Sequence, residues 1–81
     1  MFNQGFVVSG SSLKLLRLGE RGVVSGLSHV NDRTVRQLKS MGITPGTSIV
    51  LEQRFPRFVV KVGRERFALS HDLIQSIYVR V

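Results

Sequence analysis

The sequence contains no cysteine, so neither a disulfide framework nor a thiolate metal site can support its fold. Small secreted scaffolds are thereby excluded, and a reducing, cytosolic setting is expected. Apolar runs are short as well: Ile49–Leu51 and Phe58–Val60 fall far below the roughly 20 residues that span a bilayer. Residues 1–12 carry no basic side chain, so they lack the positive region of a secretory signal and are predicted to form a flexible leader.

Side chains suited to catalysis or metal binding are also few, with two histidines and five acidic residues in all. His71 and Asp72 are adjacent, so on a helical turn they point in different directions. His29 and Asp32 have a spacing more typical of a helix start, where Asp32 accepts backbone N–H bonds. No phosphate-binding glycine motif occurs. We therefore expect no catalytic residue, no cofactor and no metal site.

What the sequence does contain is typical of one small folded domain of 81 residues, of which 42% are hydrophobic and 21% charged. Lysine and arginine outnumber aspartate and glutamate by 12 to 5, which gives a formal net charge of +7. Such a charge attracts acidic proteins, nucleic acid or anionic lipid headgroups, and it does not by itself select among them. The basic residues are dispersed along the chain, as they also are on an ordinary solvated surface.

The first half of the chain predicts a β ribbon followed by one helix. Residues 13–18 and 23–27 are predicted to be two strands around a glycine-containing turn. Asn31 and Asp32 are both suited to cap the helix that follows. Apolar and basic residues then each recur at every third position, which predicts about three helical turns with a buried stripe and a basic stripe. The apolar stripe is Val35, Leu38 and Met41, and the basic stripe is Arg33, Arg36 and Lys39.

The sequence also predicts where the helix ends and where the chain then reverses direction. Gly42 suits the left-handed cap that ends a helix, with Ile43 as the accompanying hydrophobic contact. Residues 44–47 have proline and glycine at the two central positions of a type II turn.

Alternation then predicts strands over residues 49–55, 58–62 and 66–69, with a two-residue turn at Gly63-Arg64. Phe55, Phe58 and Phe67 fall on the side that carries the core residues. Ser70 is predicted to cap a helical turn over residues 71–75, and residues 77–81 to form a closing strand. These elements predict a mainly β fold, a small, partly closed SH3-like β-barrel of about six short strands with one inserted α-helix and a short helical turn.

Several segments follow one another in a distinctive order and spacing. They are Leu13-x-x-Leu16-x-x-Gly19-x-x-Gly22-x-Val24, a helix carrying Arg36 and Leu38, Met41-Gly42-Ile43-x-Pro45-Gly46-Thr47-x-Ile49, Val60-x-Val62, Phe67-Ala68-Leu69-Ser70 and Ile77-x-Val79. Together these segments resemble the FeoA family. The resemblance covers residues 13–81, which are therefore identified as one FeoA-type SH3-like domain. One departure is the connection Phe55–Phe58, since many members carry a longer hairpin with Gly-Asp-Pro, so any contact made by that hairpin would differ here.

The resemblance implies a bacterial, cytosolic, non-enzymatic accessory protein that binds the membrane GTPase-containing permease FeoB and modulates ferrous iron uptake. Peripheral association with the anionic inner membrane surface stays open, as does the oligomeric state. The fold is also similar to the C-terminal domain of diphtheria-toxin-repressor-type regulators, so a stand-alone relative of that domain is one alternative. Another is a nucleic-acid-binding SH3-like module, which is less favoured because Tyr78 is the main candidate for base stacking.

The residues predicted to bind the partner lie on the helix and at its exit. The basic stripe would meet an acidic or anionic surface. Three further residues could present an apolar contact, although capping and core packing account for them equally well. The predicted partner-binding residues are Arg33, Arg36, Lys39, Met41, Ile43 and Pro45.

Overall fold

The computed structural model describes residues 10–28 and 31–81, which form one antiparallel sheet and two short helices. The strands are β1 Ser11–Ser12, β2 Arg21–Leu27, β3 Ser48–Gln53, β4 Phe58–Val62, β5 Glu65–Leu69 and β6 Ile77–Arg80, and the helices are α1 Asp32–Ser40 and α2 His71–Gln75. The sheet order is β1-β6-β2-β3-β4-β5. This confirms the predicted mainly β, SH3-like fold. The sheet is not a closed barrel, because in the described residues its two edge strands, β1 and β5, do not pair.

A single apolar core holds the sheet and both helices together. Every strand from β2 to β6 contributes at least one buried side chain, because alternate residues of a strand point to the same face. The members of this core are Leu13, Leu16, Val24, Leu38, Ile43, Ile49, Leu51, Val60, Leu69, Leu73, Ile74, Ile77 and Val79.

Helix α1 begins and ends where the sequence predicts. The Asn31 side chain accepts a hydrogen bond from the Thr34 backbone N–H at 2.8 Å, which caps the first turn. At the other end Gly42 has a φ of 80°, and its N–H donates to the Lys39 carbonyl while the Ile43 N–H donates to the Leu38 carbonyl. This pair of bonds is the Schellman motif, and it directs the chain back toward the sheet.

We expect Gly42→Val to lower the free energy of unfolding by about 1–2 kcal/mol, because a β-branched residue is strained at a positive φ. Crowding contributes little, since among residues 10–28 and 31–81 an added Cβ would meet only the Val62 Cγ1 atom, at 3.7 Å. Chemical denaturation measures the loss. Gly42→Asn is the matched control and should lose less, because asparagine tolerates the left-handed region. Equal stability of Gly42→Val and the parent protein would contradict this cap.

The prediction of a strand over residues 13–18 is wrong. Leu13–Leu15 form a 3-10 turn, closed by the Leu16 N–H donating to the Leu13 carbonyl at 3.1 Å. Residues three apart eclipse one another in this geometry, so Leu13 and Leu16 are both buried while Leu15 stays exposed. The strand count is still six, because Ser11 and Ser12 pair with β6 as β1. Those two residues were assigned to the leader, of which residues 1–9 lie outside the described part of the chain.

The placement of Phe55 on the core side is also wrong, since 87% of this residue is exposed. The ladder between β3 and β4 shifts register between Leu51 and Gln53, and β3 ends there, so the alternation does not extend to Phe55. Phe58 and Phe67 do pack against the core. Three other sequence predictions are confirmed: the turn at residues 44–47, the two-residue hairpin at Gly63-Arg64 and the Ser70 cap of α2.

Candidate docking surface

The basic stripe of α1 is exposed along its whole length. Arg33, Arg36 and Lys39 are all classed as exposed, whereas Leu38 on the same helix is fully buried. Within residues 10–28 and 31–81, the ion pair that forms joins Arg66 to Glu52, and no stripe residue forms one. The stripe therefore presents three positive charges to solvent on one helix of nine residues.

The three apolar residues predicted beside this stripe occupy different environments. Pro45 is exposed, and Met41 is half-buried against the core. Ile43 is fully buried, so its side chain is part of the core in this structure. We define the helix surface as Arg33, Arg36, Lys39, Met41 and Pro45.

The titratable groups considered for catalysis or metal binding are dispersed. The His71 ring lies 6.5 Å from the Phe58 ring centroid, and its Nε2 atom is 2.8 Å from Nε2 of Gln75. Asp72 instead lines a polar groove of about 400 Å³ with Asn31. His29 lies outside the described residues. Among the residues that are described, no three histidine, aspartate or glutamate side chains are grouped so that they could hold a metal ion.

The outer face of the sheet carries a second basic region that the sequence did not single out. Arg21 is paired with Val50, and Val50 with Lys61, so the two cations flank one valine on neighbouring strands. Together with Ser48 and Gly63 they line a recess of about 250 Å³. The strand register brings these cations together, although they are far apart in the sequence.

A third surface was missed by sequence reasoning altogether. Leu15, Leu18 and Phe55 are 67%, 59% and 87% exposed. Arg54, the neighbour of Phe55, donates hydrogen bonds to the carbonyls of Lys14 and Leu16, so the segment that carries Phe55 is joined to the segment that carries Leu15 and Leu18. We call Leu15, Leu18 and Phe55 the apolar tip. No local pattern marks it, since the bonds that assemble it join residues about 40 positions apart.

The tip and the helix surface lie toward opposite ends of the sheet. β2 runs from Arg21, close to the tip, to Leu27 at the end that leads into α1, and β3 returns to the tip. A strand of seven residues is about 20 Å long, and the helix surface begins partway along it, since the Gly46 N–H beside Pro45 donates to the Val24 carbonyl at 2.8 Å. In the described part of the chain, neither helix has the length and apolar character needed to cross a membrane.

Comparison with known proteins shows which proteins this chain resembles. The family model for the FeoA domain matches residues 11–81. A protein of Leptolyngbya boryana named "Putative Fe(2+) transport protein A" is 50% identical over 78 residues, which is 95% of each chain. The crystal structure of Stenotrophomonas maltophilia FeoA complexed with zinc, described as an SH3 domain protein, superposes with a TM-score of 0.73. It is 28% identical, over 85% of this chain and 88% of that one.

A longer protein shares the architecture as one of its parts. The IdeR structure from T. acidophilum superposes with a TM-score of 0.86 at 21% identity, over 93% of this chain but 35% of IdeR. At that identity the likeness concerns the fold alone. The assignment rests instead on the family match over residues 11–81 and on the relative at 50% identity. On these two findings, the chain belongs to the FeoA domain family.

Proposed function

We propose that this chain is a non-enzymatic accessory module of ferrous iron transport, which docks through its helix surface onto the cytosolic part of a FeoB-type permease. Family membership supports the transport role, as does the Leptolyngbya boryana relative with its transport name. The Stenotrophomonas maltophilia protein has been suggested to be a ferrous iron transport activating factor. In this proposal the module is cytosolic and reaches the inner membrane only through its partner or through lipid headgroups.

The exposed basic stripe of α1 is the observation that carries the docking proposal. Arg33, Arg36 and Lys39 form no ion pair with a carboxylate in the described residues, so an incoming acidic surface would not have to displace one. Charges held on one helix face raise the association rate with an oppositely charged partner and fix its orientation. Met41 and Pro45 continue this surface at the helix exit and supply apolar contact area.

Replacing Arg33, Arg36 and Lys39 together by glutamine should weaken docking without weakening the fold. Exposed charges contribute little to stability, so the free energy of unfolding should change by less than about 0.5 kcal/mol. The rate constant for association with purified FeoB should fall about tenfold at low ionic strength and lose most of its salt dependence. Surface-immobilised FeoB and a salt series measure both quantities.

A matched triple variant separates the stripe from net charge. Arg21 and Arg80 are exposed on strands β2 and β6, and Arg64 is exposed in the hairpin turn between β4 and β5. Their replacement by glutamine removes the same number of charges as the stripe variant. This control should retain most of its association rate. Equal losses in both variants would show that only net charge matters. Tighter binding of the parent protein to duplex DNA than to FeoB at physiological salt would favour the nucleic-acid alternative instead.

A further inference from the structure

We propose that the apolar tip is a lipid contact, which inserts Leu15, Leu18 and Phe55 among the headgroups of an anionic bilayer. The surface lies apart from the helix surface, and the inference does not depend on docking to the permease. It rests on the exposure of the three side chains, on the way they are held, and on the charge around them.

The two segments that carry the tip are held in place before any partner arrives. Arg54 donates from Nη1 to the Lys14 carbonyl at 2.6 Å and from Nη2 to the Leu16 carbonyl. On the far side of Leu18, the Gly19 N–H donates to the Leu51 carbonyl at 2.7 Å. The three apolar side chains therefore project from braced backbone, which lowers the entropy lost on binding.

The charge around the tip is complementary to anionic lipid. Lys14 and Arg17 flank Leu15 in the sequence, and Arg57 follows Phe55 by two residues. Residues 13–18 and 54–57 contain no acidic side chain. One carboxylate does lie at the tip, because Glu20 accepts from the Arg17 backbone N–H at 2.8 Å, and the basic side chains of Lys14, Arg17 and Arg57 outnumber it. Glu52, the next carboxylate, is paired with Arg66.

A bilayer surface fits this arrangement better than a protein partner does. Interfacial proteins bind by placing a few apolar side chains at the acyl boundary with basic residues at headgroup level. A specific protein interface buries roughly 1,200 Å² or more around a well-packed centre. Three side chains on two connecting segments do not supply such a centre, and neither groove described above includes any of them.

Tryptophan fluorescence tests insertion directly, because the sequence has no tryptophan of its own. Phe55→Trp provides a single probe at the tip, and Gln37→Trp provides one on the exposed face of α1. Vesicles of an equal mixture of phosphatidylcholine and phosphatidylglycerol should shift the Phe55→Trp emission to the blue and leave Gln37→Trp unchanged. Pure phosphatidylcholine vesicles should give a much smaller shift. No shift at Phe55→Trp with the mixed vesicles, or equal shifts at both positions, would overturn the proposal.

Co-sedimentation with the same vesicles identifies the residues responsible. The double variant L15S/F55S should bind about tenfold more weakly than the parent protein, and Arg57→Gln several-fold more weakly. Arg64→Gln is the charge control, since Arg64 is exposed in the hairpin at the opposite end of the sheet, and it should bind almost as the parent does. Unchanged vesicle binding by L15S/F55S, together with weaker binding to detergent-solubilised permease, would make the tip a protein contact and refute the lipid assignment.

Discussion

Ile43→Ala should lower the free energy of unfolding by about 3 kcal/mol, the largest loss that we expect from any single change proposed for this protein. The Ile43 side chain is fully buried beside Leu38, so truncation removes apolar burial and leaves a cavity. In a domain of this size, such a loss corresponds to a fall in Tm of more than about 10 °C. Thermal and denaturant unfolding followed by circular dichroism measure it.

The control for Ile43→Ala is the same truncation at an aliphatic residue of equal volume that is exposed to solvent. Leu15 is 67% exposed, and Leu15→Ala should change the free energy of unfolding by less than about 0.5 kcal/mol. Ile43→Ala should also leave the affinity of the folded protein for FeoB unaltered, because the side chain is not at the surface. A stable Ile43→Ala variant with weakened docking would restore Ile43 to the partner-binding residues.

Gly22→Val should lower the free energy of unfolding by about 2–3 kcal/mol. The reason is opposite to that for Ile43→Ala, because this substitution adds atoms where there is no room for them. A Cβ at Gly22 would lie 3.1 Å from the Val79 Cβ and 3.3 Å from the Arg80 carbonyl oxygen, both on β6. Neither atom is the flexible end of a side chain, so β2 and β6 would have to separate by a few tenths of an ångström. Equilibrium unfolding in urea gives the loss in free energy.

The same strand offers a matched control for that substitution. Gly26 also lies on β2, but no atom of the described part of the chain is within 4 Å of a Cβ built there. Gly26→Val should therefore be nearly neutral, or slightly stabilising because valine favours strands. If both variants lost the same stability, the cause would be the removal of glycine itself rather than the close approach of β6.

Local signals in the sequence predicted well the elements that are fixed by local bonds. The cap at Asn31, the Schellman motif at Gly42 and the turn at residues 44–47 each depend on residues within a few positions of one another. The exposure of the basic stripe followed from helical periodicity and needed no knowledge of the sheet. Alternation of apolar residues predicted β4 and β5 to within one residue, whereas the order of the strands in the sheet was not predicted.

The wrong predictions concern segments whose local structure is determined by contacts with residues far away in the sequence. The spacing of Leu13 and Leu16 fits either a strand or a 3-10 turn. The segment forms the turn, and in that conformation it contacts α2 and β6. Phe55 continues an alternation that the register shift in β3 interrupts. Ile43 satisfied both a capping and a docking interpretation, and only the burial of its side chain distinguishes them. The apolar tip depends on Arg54 reaching carbonyls of another segment, which no spacing rule describes.

The position of β6 between β1 and β2 bears on how such a domain can be joined to others. Ser11 is paired with Val79, so the two ends of the described fold lie side by side on neighbouring strands. A unit whose ends meet at one place can be fused to another domain, or inserted into a loop, without stretching its own sheet. The same architecture makes up about a third of the longer IdeR chain, which is consistent with this modular geometry.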